Sequence, residues 1–440
     1  MAAKKKSSSL VRAGQGRSVK RQRTVVQKPA SKYQPIDDYQ AVKTLVERIV
    51  AECPRRQPAS ADEHRAQQIM KQEFERLGMD THEEAFRFND NLYANLALHF
   101  GLGFTGSVIS GLAPLPAFIC HMLAGTSYWA ESTRRAYILR RLFPFKPSQN
   151  ILAVMPAEGE PALRVVFLAH ADAAFTGLIF NPEIIKKFTH KPPLGIKYLN
   201  RSMAVTTHSQ FLLAGFDLLR MFLGPLTWPL RPLEAAISIP SFLAFVLNLH
   251  ILIKNEIVPG ANDDLSGVAA LPILAQRLGP DKRPDVEYVF GVTGCEEASL
   301  GGGDALARDK DGVWDKKRTV VIGLDGLANG DLTYLEVEGE VSRTRIPAWL
   351  EKLSRETAAS EPRFNPVKGF EVPVGGSDIA AFLARGWDGV CMCCVDPELG
   401  APRHYHLPSD TPANLEVERV LYAIDFTEKL ARNIVEHRLG

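Results

Sequence analysis

Five polar clusters in this sequence have the residue types and spacing to do chemistry. His170-Ala171-Asp172 closes the apolar run ALRVVFLAHAD. A histidine at a strand end suits a metal ligand, and an acid two residues on can orient its ring. Asp263 and Asp264 stand together in GANDDLSGVAALPILAQRL, ahead of Ser266-Gly267 and an apolar helical pattern. They read either as acids capping a helix N-terminus or as a carboxylate bridging two cations. Glu296 and Glu297 follow the run DVEYVFGVTG. Neighbouring carboxylates repel unless a cation or proton lies between them, so the pair suits one ligand beside one general base; a solvated loop is the plain alternative. Asp325 ends VVIGLD, as a turn residue or a ligand. His406 heads HLPSDT, with Asp410 and Thr411 behind it, and His404 competes with it on composition.

Taken together the order is His, Asp, Glu-Glu, Asp, His, each at the end of a core element. One bridging carboxylate, two further carboxylates and two histidines form a ligand set suited to two zinc ions. Three of the clusters, Gly260-Ala261-Asn262-Asp263-Asp264-Leu265-Ser266-Gly267, Glu296-Glu297-Ala298-Ser299-Leu300-Gly301-Gly302 and His406-Leu407-Pro408-Ser409-Asp410-Thr411, resemble the motifs of the co-catalytic di-zinc aminopeptidases. That is metallopeptidase family twenty-eight, which includes bacterial leucyl aminopeptidases and the glutamate carboxypeptidase group. The resemblance runs from about Ser60 to the C-terminus, outside two apolar stretches, and selects His406 over His404. It implies a three-layer α/β zinc-exopeptidase fold with a central mixed sheet and a peptide substrate. It also implies two Zn2+ per chain. Asp263 bridges them, with His170 and Asp325 completing one site and Glu297 and His406 the other. Glu296 is the implied general base, taking a proton from the attacking water and returning it to the departing amine. Asp172 orients His170. Asp264 follows the bridging Asp263 through a cis peptide. Tyr405 is a candidate oxyanion donor. Gly375, Gly376, Ser377 and Asp378 are candidates for the substrate pocket.

The elements that must position these groups are legible as alternating short apolar runs and helical patterns. ALRVVFLAHAD, DVEYVFGVTG, RTVVIGLDG and GVCMCCVD read as strands, and SQNILAV and NLYANL as neighbouring strands. Helical periodicity covers 60–77, 266–278, 347–359, 378–385 and 415–437. Ser60 and Glu63 match a capping box, and Gly78 supplies a stop. Such alternation predicts a sheet covered on both faces, with polar strand ends gathered along one edge.

Two apolar stretches interrupt this pattern, at about 95–130 and 205–254, each broken by prolines near its middle: Pro114 and Pro116, then Pro225, Pro229 and Pro232. Each is too long for one span. A helical hairpin with arms of roughly 17 to 20 residues fits both. The second fills the gap of about ninety residues between His170 and Asp263, which relatives cross in a few tens. Both insertions return the chain to the same domain, so each needs an even number of crossings. The alternative is buried core helices with a hydrophobic lid. Basic flanks (Arg134, Arg135, Arg140, Arg141, Lys146; Lys186, Lys187, Lys191, Lys197, Arg201; Lys254) place the catalytic domain, 35–440, on the cytoplasmic side of a membrane.

Residues 1–34 are basic and apolar-poor and read as a disordered tail with no signal-peptide h-region. Net charge is only +2, and no aromatic-basic platform is present, which argues against nucleic acid as a partner. The six cysteines form no disulfide framework and no zinc-finger spacing. Besides removal of N-terminal residues, hydrolysis of a blocked or C-terminal amide and an inactive membrane scaffold are the competing readings. Nothing in the sequence specifies an oligomer.

Overall fold

The computed structural model describes residues 37–190 and 195–440. The expected disordered tail, 1–34, lies outside the described residues. Nine strands form one mixed sheet: β1 (Asp80–Asn89), β2 (Phe145–Met155), β3 (Leu163–His170), β4 (Val286–Thr293), β5 (Thr319–Leu324), β6 (Asp331–Glu338), β7 (Thr344–Arg345), β8 (Lys368–Glu371) and β9 (Asp388–Val395). The order is β1-β2-β4-β3-β5-β9-β6-β7, with β8 paired to β6. The central strands β4, β3, β5 and β9 are parallel. They are valine-rich, and β5 is buried along its whole length, as parallel strands covered on both faces must be.

The helices are α1 (Asp38–Glu52), α2 (Ala61–Arg76), α3 (Leu92–Ile109), α4 (Pro114–Ser132), α5 (Pro182–His190), α6 (Ser202–Leu223), α7 (Arg231–Lys254), α8 (Leu265–Leu278), α9 (Gly301–Asp309), α10 (Ala348–Ser360), α11 (Asp378–Leu383) and α12 (Val417–Leu439). α8, α12, α1 and α10 pack in one layer; α9 and α11 pack together against other strands. At the start of α2, Ser60 Oγ accepts from Glu63 N at 3.1 Å, and Gly78 closes the helix at φ +76°.

The NLYANL segment departs from expectation. It opens α3 rather than forming a strand, because the Asn91 side chain accepts from Ala94 N and caps the helix. The neighbour of β2 is β1, just before it, in antiparallel register from Asp80↔Val154 to Asn89↔Phe145.

Both apolar stretches are helical hairpins. α3 and α4 have 18 and 19 residues. α6 and α7, with 22 and 24, exceed the expected arm length. α3 packs on α4 and α7, α4 on α6, and α6 on α7, so the arms form one four-helix bundle. Gly103 and Gly106 allow close approach: a Cβ on Gly106 would meet His121 Nε2 at 2.9 Å, and one on Gly103 would collide with Gln210.

Topology fixes where the bundle leaves the sheet. β1 is antiparallel to β2, and β2 to β4. The C-terminal ends of β1, β3, β4 and β5 therefore share one edge. The first hairpin leaves from the end of β1 and the second from beyond the end of β3. A cluster of Tyr93, Leu96, Phe100, Tyr128, Phe175, Ile251 and Val341 joins the bundle's root to the domain. Beside it the buried Arg140 guanidinium donates to Glu131 at 2.8 Å and to Ala298 O at 2.8 Å, and Asn95 donates to Glu131 at 2.7 Å.

Removing one partner of a fully buried ion pair strands the other charge. Glu131→Gln or Arg140→Met is expected to destabilise the protein by about 3–5 kcal/mol, with the double variant recovering much of the loss. Unfolding midpoints of the detergent-solubilised protein measure this; additive losses would contradict it.

Candidate metal centre

The parallel register brings the strand ends together. His170 ends β3 opposite Thr293, the last residue of β4. Glu296 and Glu297 follow β4, and Asp325 follows β5 with its N–H on Met392 O at 3.0 Å. Asp263 comes from the loop before α8 and His406 from the loop before α12.

His170 Nε2 lies 3.2 Å from Asp263 Oδ1, and His406 Nε2 lies 3.2 Å from Asp263 Oδ2. Each oxygen of Asp263 thus faces a different histidine. His406 Nε2 is also 3.3 Å from Glu297 Oε1, yet that oxygen is buried without a hydrogen bond. Tetrahedral zinc with bonds of about 2.0–2.1 Å places its ligand atoms about 3.3 Å apart. These contacts have that length, so the residues fit zinc. His170, Asp263 and Glu297 bring donor atoms within 4.8 Å of one another, as do His170, Asp264 and Asp325. Asp264 belongs to the second group by proximity only. Its oxygens already accept from the backbone N–H groups of His170 (3.1 Å), Gly267 (3.1 Å) and Gly326 (3.0 Å). It caps α8 and follows Asp263 through a cis peptide bond, as the motif implies.

Other acids position the ligands in the same way. Asp172 accepts from Glu296 N at 3.1 Å and Glu297 N at 2.9 Å. It reaches His170 Nδ1 at 3.5 Å through its carboxylate and at 3.2 Å through its carbonyl. Its main work is therefore on the Glu-Glu backbone, with the ring held in addition. Asp410 accepts from Asn262 N and Asp263 N at 2.8 and 3.1 Å. His404 points away from the ligands and bonds Ser409 Oγ at 2.8 Å.

Three residues carried no sign in the sequence of a part in this site. Arg56 is fully buried and ties two ligand loops together, donating to Ala171 O at 2.9 Å and Pro259 O at 2.7 Å. Burial lowers its pKa to about 10. Glu63 accepts from Cys295 N at 2.7 Å and Ser148 Oγ at 2.8 Å. Tyr93, on the first turn of α3, lines the cavity over the ligands.

That cavity measures about 210 Å³. Its walls include Leu92, Leu335, Phe370, Val372 and Val395, together with Gly375, Gly376 and Ser377 as expected. Asp378 is not in the wall; it accepts from Thr293 at 2.5 Å. Tyr405 is in the wall, its ring 3.9 Å from that of His406 and 5.9 Å from that of Phe180. No Lys or Arg lines the cavity among the described residues.

Charge dominates the electrostatics. Burial pushes Glu296 well above the usual carboxylate range and raises Glu297. Burial and the Asp263 charge push Asp325 up to about 8. Burial would raise Asp263 too, but hydrogen bonds from His170 and His406 hold it well below the usual range. Burial opposes protonation of His406, yet Glu297 and Asp263 carry it up to about 10; His170 is raised likewise, chiefly by Glu296.

This donor set suits a pair of zinc ions held at the strand ends. Residues 248–426 match the model of peptidase family M28. A zinc aminopeptidase from Bacillus subtilis superposes with a TM-score of 0.52 at 15% identity, over 91% of this chain and 94% of that one. A Zn-dependent exopeptidase from Parabacteroides distasonis gives 0.50 at 14%, over 91% and 98%. A glutaminyl cyclase from an Acidobacteriales bacterium gives 0.50 at 14%, over 93% and 99%. At these identities the likeness establishes the fold alone. A search of curated protein sequences found no match.

Because ligands must lose their protons to bind metal, zinc binding to chelator-stripped protein at neutral pH is expected to release about three protons per chain, two from the raised histidines and one from Asp325. The apparent affinity should rise with pH until about 10, where His406 no longer holds its proton. Titration calorimetry in buffers of different ionisation enthalpy reads this directly; proton-neutral binding would contradict it.

Proposed function

We propose that this chain is a membrane-embedded aminopeptidase, removing N-terminal residues from peptides with two zinc ions and Glu296 as general base. The observation that carries the choice of substrate end is the charge of the cavity. Every ionisable wall residue except histidine and tyrosine is an acid, and no cation is present among the described residues to hold a C-terminal carboxylate. With the ligand carboxylates neutralised by metal, Glu340 remains in the wall as an anion to face a substrate ammonium, and no Lys or Arg stands there to meet a carboxylate. The apolar walls favour an apolar first side chain, since a charged one would be desolvated without a partner.

Two ions suit the charge count. Asp263, Glu296, Glu297 and Asp325 carry four negative charges when both histidines are neutral, and two divalent cations cancel them. His170 and Asp325 would hold one ion, Glu297 and His406 the other, and Asp263 both. When bound, zinc supplies a Lewis acid for the scissile carbonyl and lowers the pKa of water. Glu296 does the proton work. Asp172 fixes its backbone N–H, leaving the carboxylate free to take a proton from the attacking water and pass it to the leaving amine. Tyr405 stands in the wall as a donor to the developing oxyanion.

Lipid is the solvent that suits the bundle. Its outward face carries Leu112, Phe222, Leu226 and Ile253 at 94, 80, 79 and 76% exposure, while Asp217, Arg220 and Glu234 are turned inward. α7 spans about 36 Å at 1.5 Å per residue, against a hydrocarbon core of about 30 Å. Lys197, Arg201 and Lys254 lie at the root, which supports a cytoplasmic catalytic unit.

The test uses purified protein in detergent, a panel of aminoacyl chromogenic substrates with blocked analogues, chelator, and re-added zinc. Expected are chelator-sensitive release from free-amine substrates, highest for apolar residues, and a loss of about 10²-fold or more in kcat for Glu296→Gln with zinc retained. Turnover of blocked or C-terminal amides alone, cyclisation of N-terminal glutamine alone, or zinc binding without turnover would each overturn this reading. For the membrane, the chain should resist alkaline extraction, and Leu219→Asp with Leu243→Asp should lower its membrane recovery; full release of the unaltered chain would contradict embedding.

A further inference from the structure

A second cavity of about 290 Å³ adjoins the catalytic one, sharing Leu300, Glu340, Gly375 and Gly376 as common wall. Its charge is different. Arg134, Arg135 and Arg385 line it, together with Glu338 and Glu340. Three of these five are committed elsewhere. Arg385 pairs with Asp304 at 2.6 Å. One oxygen of Glu338 accepts from both N–H and Oγ of Ser377 at 2.7 Å. Glu340 accepts from Tyr128 at 2.7 Å.

Arg134 and Arg135 form no close contact with an acid, although the charges of Glu340, Asp304 and Glu131 act on Arg134 from further off. Neither makes an ion pair among the described residues. Arg134 donates only to neutral oxygens, Ser299 O at 2.8 Å and Ser299 Oγ at 3.1 Å. Arg135 is exposed and lies over the Trp129 ring at 4.8 Å. Local structure presents both. α4 ends with Arg134 in the left-handed region at φ +58°, and Arg135 N turns back to Ala130 O at 2.8 Å. A capping turn of this kind usually takes glycine; here it aims two adjacent guanidiniums off the end of the first hairpin.

We infer that the Arg134–Arg135 cavity takes the C-terminal carboxylate of a short peptide whose N-terminal amine lies in the acidic catalytic cavity. The juxtaposition is of opposite kinds: a cavity with no Lys or Arg in its wall, sharing Leu300, Glu340, Gly375 and Gly376 with one that holds two guanidiniums free of ion pairs. A free peptide carries opposite charges at its two ends and matches both at once. Guanidinium is suited to a carboxylate because its fork of donors meets both oxygens. The first hairpin thereby supplies a specificity wall as well as an anchor. This inference rests on the aminopeptidase reading above.

The test compares paired peptides with free and amidated C-termini, from tripeptides to hexapeptides with leucine first, on the zinc-loaded full chain. Release of free leucine is the readout. For the short peptides kcat/KM is expected to be about tenfold or more higher with the free carboxylate, since a charge-assisted contact contributes on that order. The ratio should fall towards one for hexapeptides, whose carboxylate extends beyond the cavity. Arg135→Ala should bring the short-peptide ratio close to one, and Arg135→Lys should keep part of it; this ratio is internal to each variant and independent of how much protein is folded. A ratio near one in the unaltered enzyme, or one unchanged in Arg135→Ala, overturns the inference while leaving aminopeptidase activity established. Absence of leucine release from every peptide overturns both.

Discussion

The interaction on which the rest of the structure depends is repulsion among carboxylates. Asp263, Glu296, Glu297 and Asp325 are gathered at one sheet edge, with Asp172, Asp264 and Asp410 packed directly behind. Bringing seven acids together is costly unless each has something to face. The chain divides them into two kinds. Asp172, Asp264 and Asp410 have their oxygens occupied by backbone N–H groups. Those donors come from loops and a helix N-terminus, so each anion is held where a partial positive charge already exists. The remaining acids face each other and two histidines, with Glu297 Oε1 left without a donor. Acids with filled oxygens do positioning, and acids with open oxygens can hold metal. By that distinction Asp264, though close to His170 and Asp325, falls among the positioning acids.

The bundle obeys the opposite rule from the domain it is rooted in. Its exposed residues are apolar and its interior holds His121 on Asp217 at 2.6 Å and Arg220 on Glu234. In water this arrangement would expose large apolar side chains and desolvate ions for little return. In lipid the outer face is favourable, and paired ions inside the bundle are the tolerable way to carry charge at depth. Such pairs also fix the register of the four arms, because any other rotation would leave one of them unpaired.

Much of the site was readable because each ligand sits at the end of a strongly patterned element. The buried runs before His170, Glu296 and Asp325 read as strands without reference to anything else. Asp410 was legible only as part of a motif; its reason, holding Asp263 N, is a contact across 147 positions. Arg56, in the loop after α1, had no signal because its partners are carbonyl oxygens, which every residue offers. Tyr93 was hidden by NLYANL, where apolar residues at both helical and strand spacing left the choice to Asn91 as a cap. The edge strands β6, β7 and β8 are short and mixed in composition, and their pairing is decided by neighbours rather than by pattern.

The placement of the insertions follows from strand direction. A hairpin inserted after β1 or β3 must leave from the edge where the parallel strands end, and that is the edge that carries the ligands. The apolar arms and the candidate metal centre are therefore on the same side of the sheet by topology alone. The contacts agree: Arg140 holds Ala298 O and Arg134 holds Ser299 O, both just beyond Glu296 and Glu297, while Tyr93 lines the cavity. A shift of the first hairpin would move the loop that carries Glu296 and Glu297. Catalytic geometry and seating of the bundle are thus one problem for this chain, and an environment that loosens the arms should disturb turnover before it unfolds the sheet.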